Sequence, residues 1–221
     1  MNPSSRPLSL ENILAGIIVT VVGGVILAFI IQDARFSPKS NPVQVTETAI
    51  VQGETPIVID GELVHTSDSK LVWIPANVNL RDFVADVTFF NPYDGSENQW
   101  SYGIIFRHAG YNQQFRFYVT SFQTWNLVLA SDVSGELLTT SVASGQVNNL
   151  NISANGSNHL RIIVVGETGY LIINNVYIST FPTSGKMTSG DIGVTTEFVG
   201  DQTIGKSTTF RDFSILPIDK K

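Results

Sequence analysis

Two kinds of chemistry are within reach of the side chains in this sequence. Hydrolysis of a glycosidic bond needs two carboxylates at a set separation, one as acid and one as nucleophile or base. Asp82 and Asp86 are the nearest approach to such a pair, because their even spacing in RDFVADVTFF (81–90) puts both on one strand face, opposite Phe83. Carboxylates on a solvent-facing strand are equally ordinary, so no catalytic residue is assigned. The second chemistry is recognition of a sugar, which is held by aromatic rings against its apolar face and by planar polar groups on its hydroxyls. Arg116, Tyr118, Arg107, Trp125, Tyr102 and Asn174, with Trp100, are the residues of suitable type. In QFRFYVT (114–120), Arg116 and Tyr118 alternate with Phe115, Phe117 and Val119, so they point away from whatever face the apolar residues bury. That pair is the leading candidate. Trp100 and Trp125 would serve equally as packing residues, and Arg107 as half of an internal ion pair.

Composition excludes several other chemistries. The chain has no cysteine, which removes disulfides, thiolate zinc sites and thiol nucleophiles together. Its three histidines, at 65, 108 and 159, are too scattered to suggest a metal site. With 13 Lys plus Arg against 19 Asp plus Glu, the net charge of −6 disfavours nucleic acid and other polyanions as partners. No cofactor is assigned.

These residues need strands to position them. From Asp60 onward the dominant period is two: RDFVADVTFF, YGIIFR (102–107), QFRFYVT, WNLVLA (125–130), LRIIVV (160–165), YLIIN (170–174), then 176–181, 191–196 and 210–215. Gly166-Glu-Thr-Gly169 has the glycine spacing of a tight hairpin. Residues 43–58 mix β-branched residues with Gly53 and Pro56, and read either as a first edge strand or as more linker. No segment after residue 60 has a helical period. The expectation is an all-β, two-sheet antiparallel jelly-roll sandwich over 60–217, with a short tail at 218–221.

The stretch before it is of a different kind. Between Glu11 and Asp33, residues 12–32 (NILAGIIVTVVGGVILAFIIQ) carry no charge. At about 1.5 Å per residue such a run reaches roughly 30 Å, enough to cross a bilayer core as one helix. It is longer than a signal-peptide core and ends in Phe29, Ile30 and Ile31, a poor cleavage site, so it is read as a retained transmembrane helix in contact with membrane lipid. Residues 1–11 form a polar leader and 33–59 a linker or first edge strand. Gly16, Thr20, Gly24 and Ala28 recur every fourth residue, a small-residue stripe that would let the helix pack on a partner helix or on a second copy. Small residues are also common in spanning helices. Arg6 on one side and Arg35 and Lys39 on the other set no clear orientation. The domain is placed outside the membrane, because long domains translocate largely regardless of flanking charge.

Taken in order, the motifs Trp100-x-Tyr102-Gly103-Ile-Ile-Phe-Arg107, Phe115-Arg-Phe-Tyr-Val119 with Trp125, Asn158-His-Leu-Arg161, Gly169-Tyr-Leu-Ile-Ile-Asn174, Gly190-Asp-Ile-Gly-Val194 and Phe210-Arg-Asp-Phe213 resemble the concanavalin A-like lectin/glucanase superfamily, in particular its laminin-G-like and keto-disaccharide-hydrolase-like domains. The resemblance covers roughly Asp60 to Leu216. It implies two antiparallel sheets, one concave, whose face or rim often binds carbohydrate, and it implies the export of the domain. Enzymes of this superfamily commonly carry Glu-x-Asp-x-x-Glu on one strand, and no such run occurs here. Relatives often hold Ca2+ through loop carboxylates; Asp94, Glu97, Asp191 and Asp201 lie in loops of that type, but turns favour Asp on backbone grounds alone, and no metal is assigned. The expected protein is a membrane-anchored, non-catalytic binding module for carbohydrate or protein surfaces. The alternatives are an accessory subunit of a larger membrane complex and, third, a tethered glycoside-active enzyme.

Overall fold

The computed structural model describes residues 17–22, 25–30, 57–65, 71–110, 113–133, 136–197 and 204–218. The chain divides into two units, Met1–Gly53 with Lys220–Lys221, and Glu54–Asp219.

In the first unit the described backbone is a pair of antiparallel strands, β1 (Ile17–Val22) and β2 (Val25–Ile30), in register from Ile17↔Ile30 to Val22↔Val25. The helix expected over 12–32 is not shown there. Val, Ile and Thr are stiff at χ1 and favour strands. Thr20 and Ala28 accordingly fall on different strands, while Gly16 and Gly24 lie outside the described residues. Among the described residues no helix is long and apolar enough to cross a membrane. The leader 1–11, most of the linker and the last three residues also lie outside them.

The second unit is a sandwich of two six-stranded antiparallel sheets. Its strands are β3 (Ile57–Val64), β4 (Leu71–Pro75), β5 (Phe83–Phe90), β6 (Ser101–His108), β7 (Gln113–Thr120), β8 (Thr124–Val133), β9 (Glu136–Gln146), β10 (Ser157–Val165), β11 (Thr168–Ile173), β12 (Val176–Pro182), β13 (Asp191–Glu197) and β14 (Ser207–Pro217). One sheet runs β12-β11-β10-β5-β14-β3 and the other β4-β13-β6-β7-β8-β9. Alternation decides which side chains meet between them. Phe83, Ala85, Val87 and Phe89 on β5 face Tyr102, Ile104 and Phe106 on β6 and Phe115, Phe117 and Val119 on β7, all buried in one core. Phe106 stacks on Phe115 at 5.0 Å and Phe89 on Tyr102 at 4.5 Å, and burying each such ring contributes roughly 1.5–3 kcal/mol.

Two turns follow the sequence closely. Val165↔Thr168 closes the β10–β11 hairpin around Gly166 (φ 60°) and Glu167, while Gly169 lies inside β11 because the Phe181 ring lies across it and a Cβ would collide. The β11–β12 hairpin reverses through Asn174 (φ 50°) and Asn175 (φ 63°), the pair of left-handed residues that a two-residue turn of this kind demands.

Candidate functional site

The decisive local feature lies at the end of β6. Gly193 of β13 pairs with Ile105, but Asp191 pairs with His108, so β6 carries one extra residue and Arg107 sits there with φ 53°. A bulge of this kind re-aims the side chains beyond it. Strict alternation from Gly103 and Ile105 would turn Arg107 outward. The bulge turns it inward instead and sends His108 to the outer face, where its ring packs on Trp73 of β4 at 4.6 Å.

Arg107 is fully buried and its donors are occupied. Nε donates to Arg81 O, Nη1 to Thr183 O and Lys186 O, and Nη2 to Gly166 O, at 2.7–3.1 Å. Asp82 Oδ1 lies 3.7 Å from Nη2. Burial lowers the affinity of this guanidinium for its proton, Asp82 raises it and Arg81 lowers it again. The residue is a structural tie between the start of β5, the β10–β11 turn and the loop after β12. Asp82 belongs to the same knot: Oδ1 accepts from Gly166 N at 2.7 Å and Oδ2 from Arg81 Nη2 at 2.9 Å. It precedes β5 and is buried, so it does not share an open strand face with Asp86. Asp86 stands on the outer face of β5, where Oδ1 accepts from Arg161 Nε at 2.5 Å and lies 3.0 Å from His159 Nε2.

Three more residues of suitable type also face inward. Tyr102 stacks on Trp100 at 4.8 Å, and its hydroxyl donates to Asn91 Oδ1 and accepts from Asn158 Nδ2 at 2.6 Å. Burial pushes that hydroxyl's pKa well above the usual tyrosine range. Asn174 accepts from His159 N and donates to Asn149 O and to Asn158 Oδ1, at 2.8–2.9 Å. Trp125 is 4 % exposed and packs in the core beside Phe117, with its indole across Gly145. Trp100 is fully buried.

Arg116 and Tyr118 stay on the outer face of the β4-to-β9 sheet. Arg116 is opposite Ile105 on β6 and Val128 on β8; Tyr118 is opposite Gly103 and Asn126. In the amide orientation that satisfies both groups, Gln114 Oε1 accepts from Arg116 Nε at 2.9 Å and Nη2 at 2.8 Å, which fixes the guanidinium plane. The floor between them and Trp73 is kept low by two glycines. At Gly103 a Cβ would collide with the Phe117 carbonyl, and at Gly193 with the Ile74 carbonyl while coming within 2.8 Å of the Trp73 ring. A shallow depression on this side is bordered by Leu71, Ser101, Tyr102, Arg116, Tyr118, Thr195 and Thr196. The sandwich has a galectin-like fold. Solved structures that share it include the carbohydrate-binding module CBM66 from Bacillus subtilis, at TM-score 0.52 and 12% identity over 73% of this chain and 93% of that one. A Bacillus subtilis protein described as of unknown function with a galectin-like fold matches at TM-score 0.51 and 14% identity, over 75% of this chain and 89% of that one. A. japonicus CB05 matches at TM-score 0.53 and 13% identity, over 76% of this chain and 26% of that one. At such identities the likeness is one of fold. No protein-family model and no curated protein matches the sequence.

Trp73 and His108 were not legible as site residues. Leu71, Trp73 and Pro75 share a strand face by alternation, which is the signal available for Trp73. None exists for His108, because an extra residue in a strand leaves no mark in composition or period. Lys186, in the loop after β12, is near enough for its charge to act on His108. It is 8 % exposed, with its backbone N–H donating to Thr183 O at 3.3 Å. His108 is pushed below the usual histidine range by burial first; Asp191 opposes this, and the charges of Lys186 and Arg116 add to it. Asp191 Oδ1 is taken up by the backbone N–H groups of Val78 at 3.0 Å and Ile192 at 2.7 Å. Among the described residues no group of three or more His, Asp or Glu side chains is arranged to hold a metal ion.

Proposed function

We propose that this chain is a carbohydrate-binding protein held at a membrane, with the outer face of the β4-to-β9 sheet as its binding surface. The observation that carries the reading is the line Trp73, His108, Arg116 and Tyr118 over a floor lowered by Gly103 and Gly193. It runs from β4 through β13 and β6 to β7, three strand spacings or roughly 14 Å. The Trp73 ring offers an apolar platform for a sugar ring, and the guanidinium and phenol hydroxyl offer planar and directional partners for its hydroxyls. The carbohydrate-binding module with the same fold agrees with this reading.

The protein binds without cleaving. Asp82 is locked in the Arg107 knot and Asp86 is held by Arg161 and His159 on the other sheet, so neither carboxylate is placed over the proposed surface. The uncharged run over 12–32 is the anchor. Its length and lack of charge support its role as the membrane tether, with the domain displayed on the outer side. The test is a saccharide panel presented to the full chain in mild detergent. The folded chain retains a subset of the panel and releases it uncleaved. Trp73→Ala abolishes retention with little change in melting temperature, and extraction at alkaline pH leaves the chain in the membrane fraction. No retention by folded protein, or retention indifferent to Trp73→Ala, overturns the reading.

A further inference from the structure

Among the described residues four strands form the edges of the sandwich, β3 and β12 in one sheet and β4 and β9 in the other. An edge strand presents a row of backbone N–H and C=O groups that nothing in its own sheet pairs. Three of the four carry an ordinary defence against a further strand. β4 is five residues long and ends in Pro75, β12 ends in Pro182, and β9 carries the register shift opposite Leu127 and Val128. β3 has eight residues, no proline and no extra residue of its own; the shift along this pair, between Phe210 and Phe213, belongs to β14. Its alternation is clear. Leu63 is buried and Ile59 packs against the core, so Val58, Asp60, Glu62 and Val64 stand on the outer face. All four are exposed, Val58 to 58 % and Val64 to 43 %.

The open edge thus displays apolar, acid, acid, apolar at alternate positions. Arg211, the cation beside these acids on β14, is turned over the Phe90 ring of β5 at 5.5 Å, and Asp60 gives one oxygen to the backbone N–H of Asp212 at 2.7 Å. Three occupants could extend β3. A second copy, paired antiparallel over 58–64, sets Asp60 opposite Glu62 twice, and like charges directly opposed are destabilising. Residues 43–56 of the same chain (VQVTETAIVQGETP) hold two glutamates and no lysine or arginine, so they bring the wrong charge. A strand of opposite charge has to come from another protein. We propose that the free edge of β3 receives an extended segment of a partner protein that carries Lys or Arg at two alternate positions between apolar residues. Main-chain hydrogen bonds supply the affinity in such an addition, and the alternate side chains the specificity. At about 3.4 Å per residue the edge offers roughly 27 Å of backbone, ample for a segment of similar length. The site is separate from the saccharide surface, since β3 belongs to the other sheet.

The experiment presents the full chain in mild detergent with fluorescent peptides capped at both ends: Val-Thr-Lys-Thr-Lys-Thr-Val, and the same peptide with glutamate at both lysine positions. The lysine peptide binds roughly tenfold more tightly than the glutamate peptide, as two cross-strand charge pairs at the upper end of their usual range provide. Added sodium chloride narrows the difference. Amide hydrogen exchange, read residue by residue, places the bound lysine peptide: exchange slows within 57–64 and is unchanged in β4, β9 and β12. Glu62→Lys, a replacement at an exposed position that leaves the melting temperature in place, abolishes the preference for the lysine peptide. Equal binding of the two peptides overturns the inference, as does binding of neither by folded protein, a preference that survives Glu62→Lys, or protection at another edge. If the outward amides of β3 are already protected in the chain alone, a second copy or residues 43–56 cover the edge, and that too overturns it. The saccharide reading stands or falls independently of each of these outcomes.

Discussion

On the outer face of the β12-to-β3 sheet, Arg161 of β10 stands opposite Asp86 of β5, and His159 reaches the same carboxylate oxygen. On the outer face of the β4-to-β9 sheet, the corresponding imidazole, His108, packs on the Trp73 ring and the Arg116 guanidinium is held by Gln114. The first face closes these charges by register: neighbouring strands bring acid and base together. The second is interrupted by a bulge that moves the arginine inward and the histidine outward, and two glycines keep the floor open. Residue type is therefore a poor guide to function on a sheet, whereas the state of satisfaction of each polar group is a good one.

The sharpest test of this contrast uses the two arginines that alternation alone would place on the same face. Arg107→Met removes donors to four backbone carbonyls and the partner of Asp82, and should cost about 3–5 kcal/mol, the usual loss when one member of a buried charged set is removed. Arg116→Met should change stability by less than about 0.5 kcal/mol, as surface replacements do, while weakening saccharide binding. Chemical denaturation of both variants decides it, and equal stability losses would break the distinction between knot and surface.

A smaller effect is expected on the satisfied face. Asp86→Asn deprives Arg161 and His159 of their shared partner and should cost about 1 kcal/mol for a half-buried ion pair, read as a lower denaturation midpoint. Saccharide binding should be untouched. A loss of binding in this variant would place the functional face on the wrong sheet.

The smallest effect concerns pH. His108 has a folded-state pKa below its unfolded value, chiefly through burial. The unfolded chain therefore takes up the proton first. The stability tied to neutral His108 is present above about pH 6.5 and is lost as pH falls from there toward the lower, folded value. Thermal melts from neutral to mildly acidic pH should show this slope in the native chain and lose it in His108→Gln. The opposite sign, a native chain that gains stability from His108 on acidification without ligand, would mean that Asp191 outweighs burial at the ring.

Much of the sandwich was readable from alternation. The strands from β5 to β8 and from β10 to β14 fall where the period of two places them, and Gly166 opens the hairpin its spacing suggests. β3 (Ile57–Val64) begins only at the end of the stretch that reads as linker or first edge strand, and two further strands are not legible. β4 is five residues ending in Pro75, and β9 (ELLTTSVASGQ) shows no clean apolar alternation because it is an edge strand with a register shift opposite Leu127/Val128. Tyr102 is of a type suited to an open face, yet it alternates with Ile104 and Phe106 on the inner one and satisfies its hydroxyl through Asn91 and Asn158. The Asn174 amide, of a type suited to sugar hydroxyls, is consumed in holding the β11–β12 turn to Asn149, Asn158 and His159.

The sequence by itself determined what its periodicity encodes: an all-β chain, the strand faces that carry Phe115, Phe117 and Val119 inward and Arg116 and Tyr118 outward, and an uncharged run ahead of the domain. Those are local properties, fixed by neighbours two residues apart. Only the tertiary structure decided which sheet each strand joins, that Arg107 lies inside while His108 lies outside, and that Trp73 arrives beside His108 from a strand 35 positions earlier. Pairing between distant strands, and one inserted residue within a strand, leave no trace in local pattern.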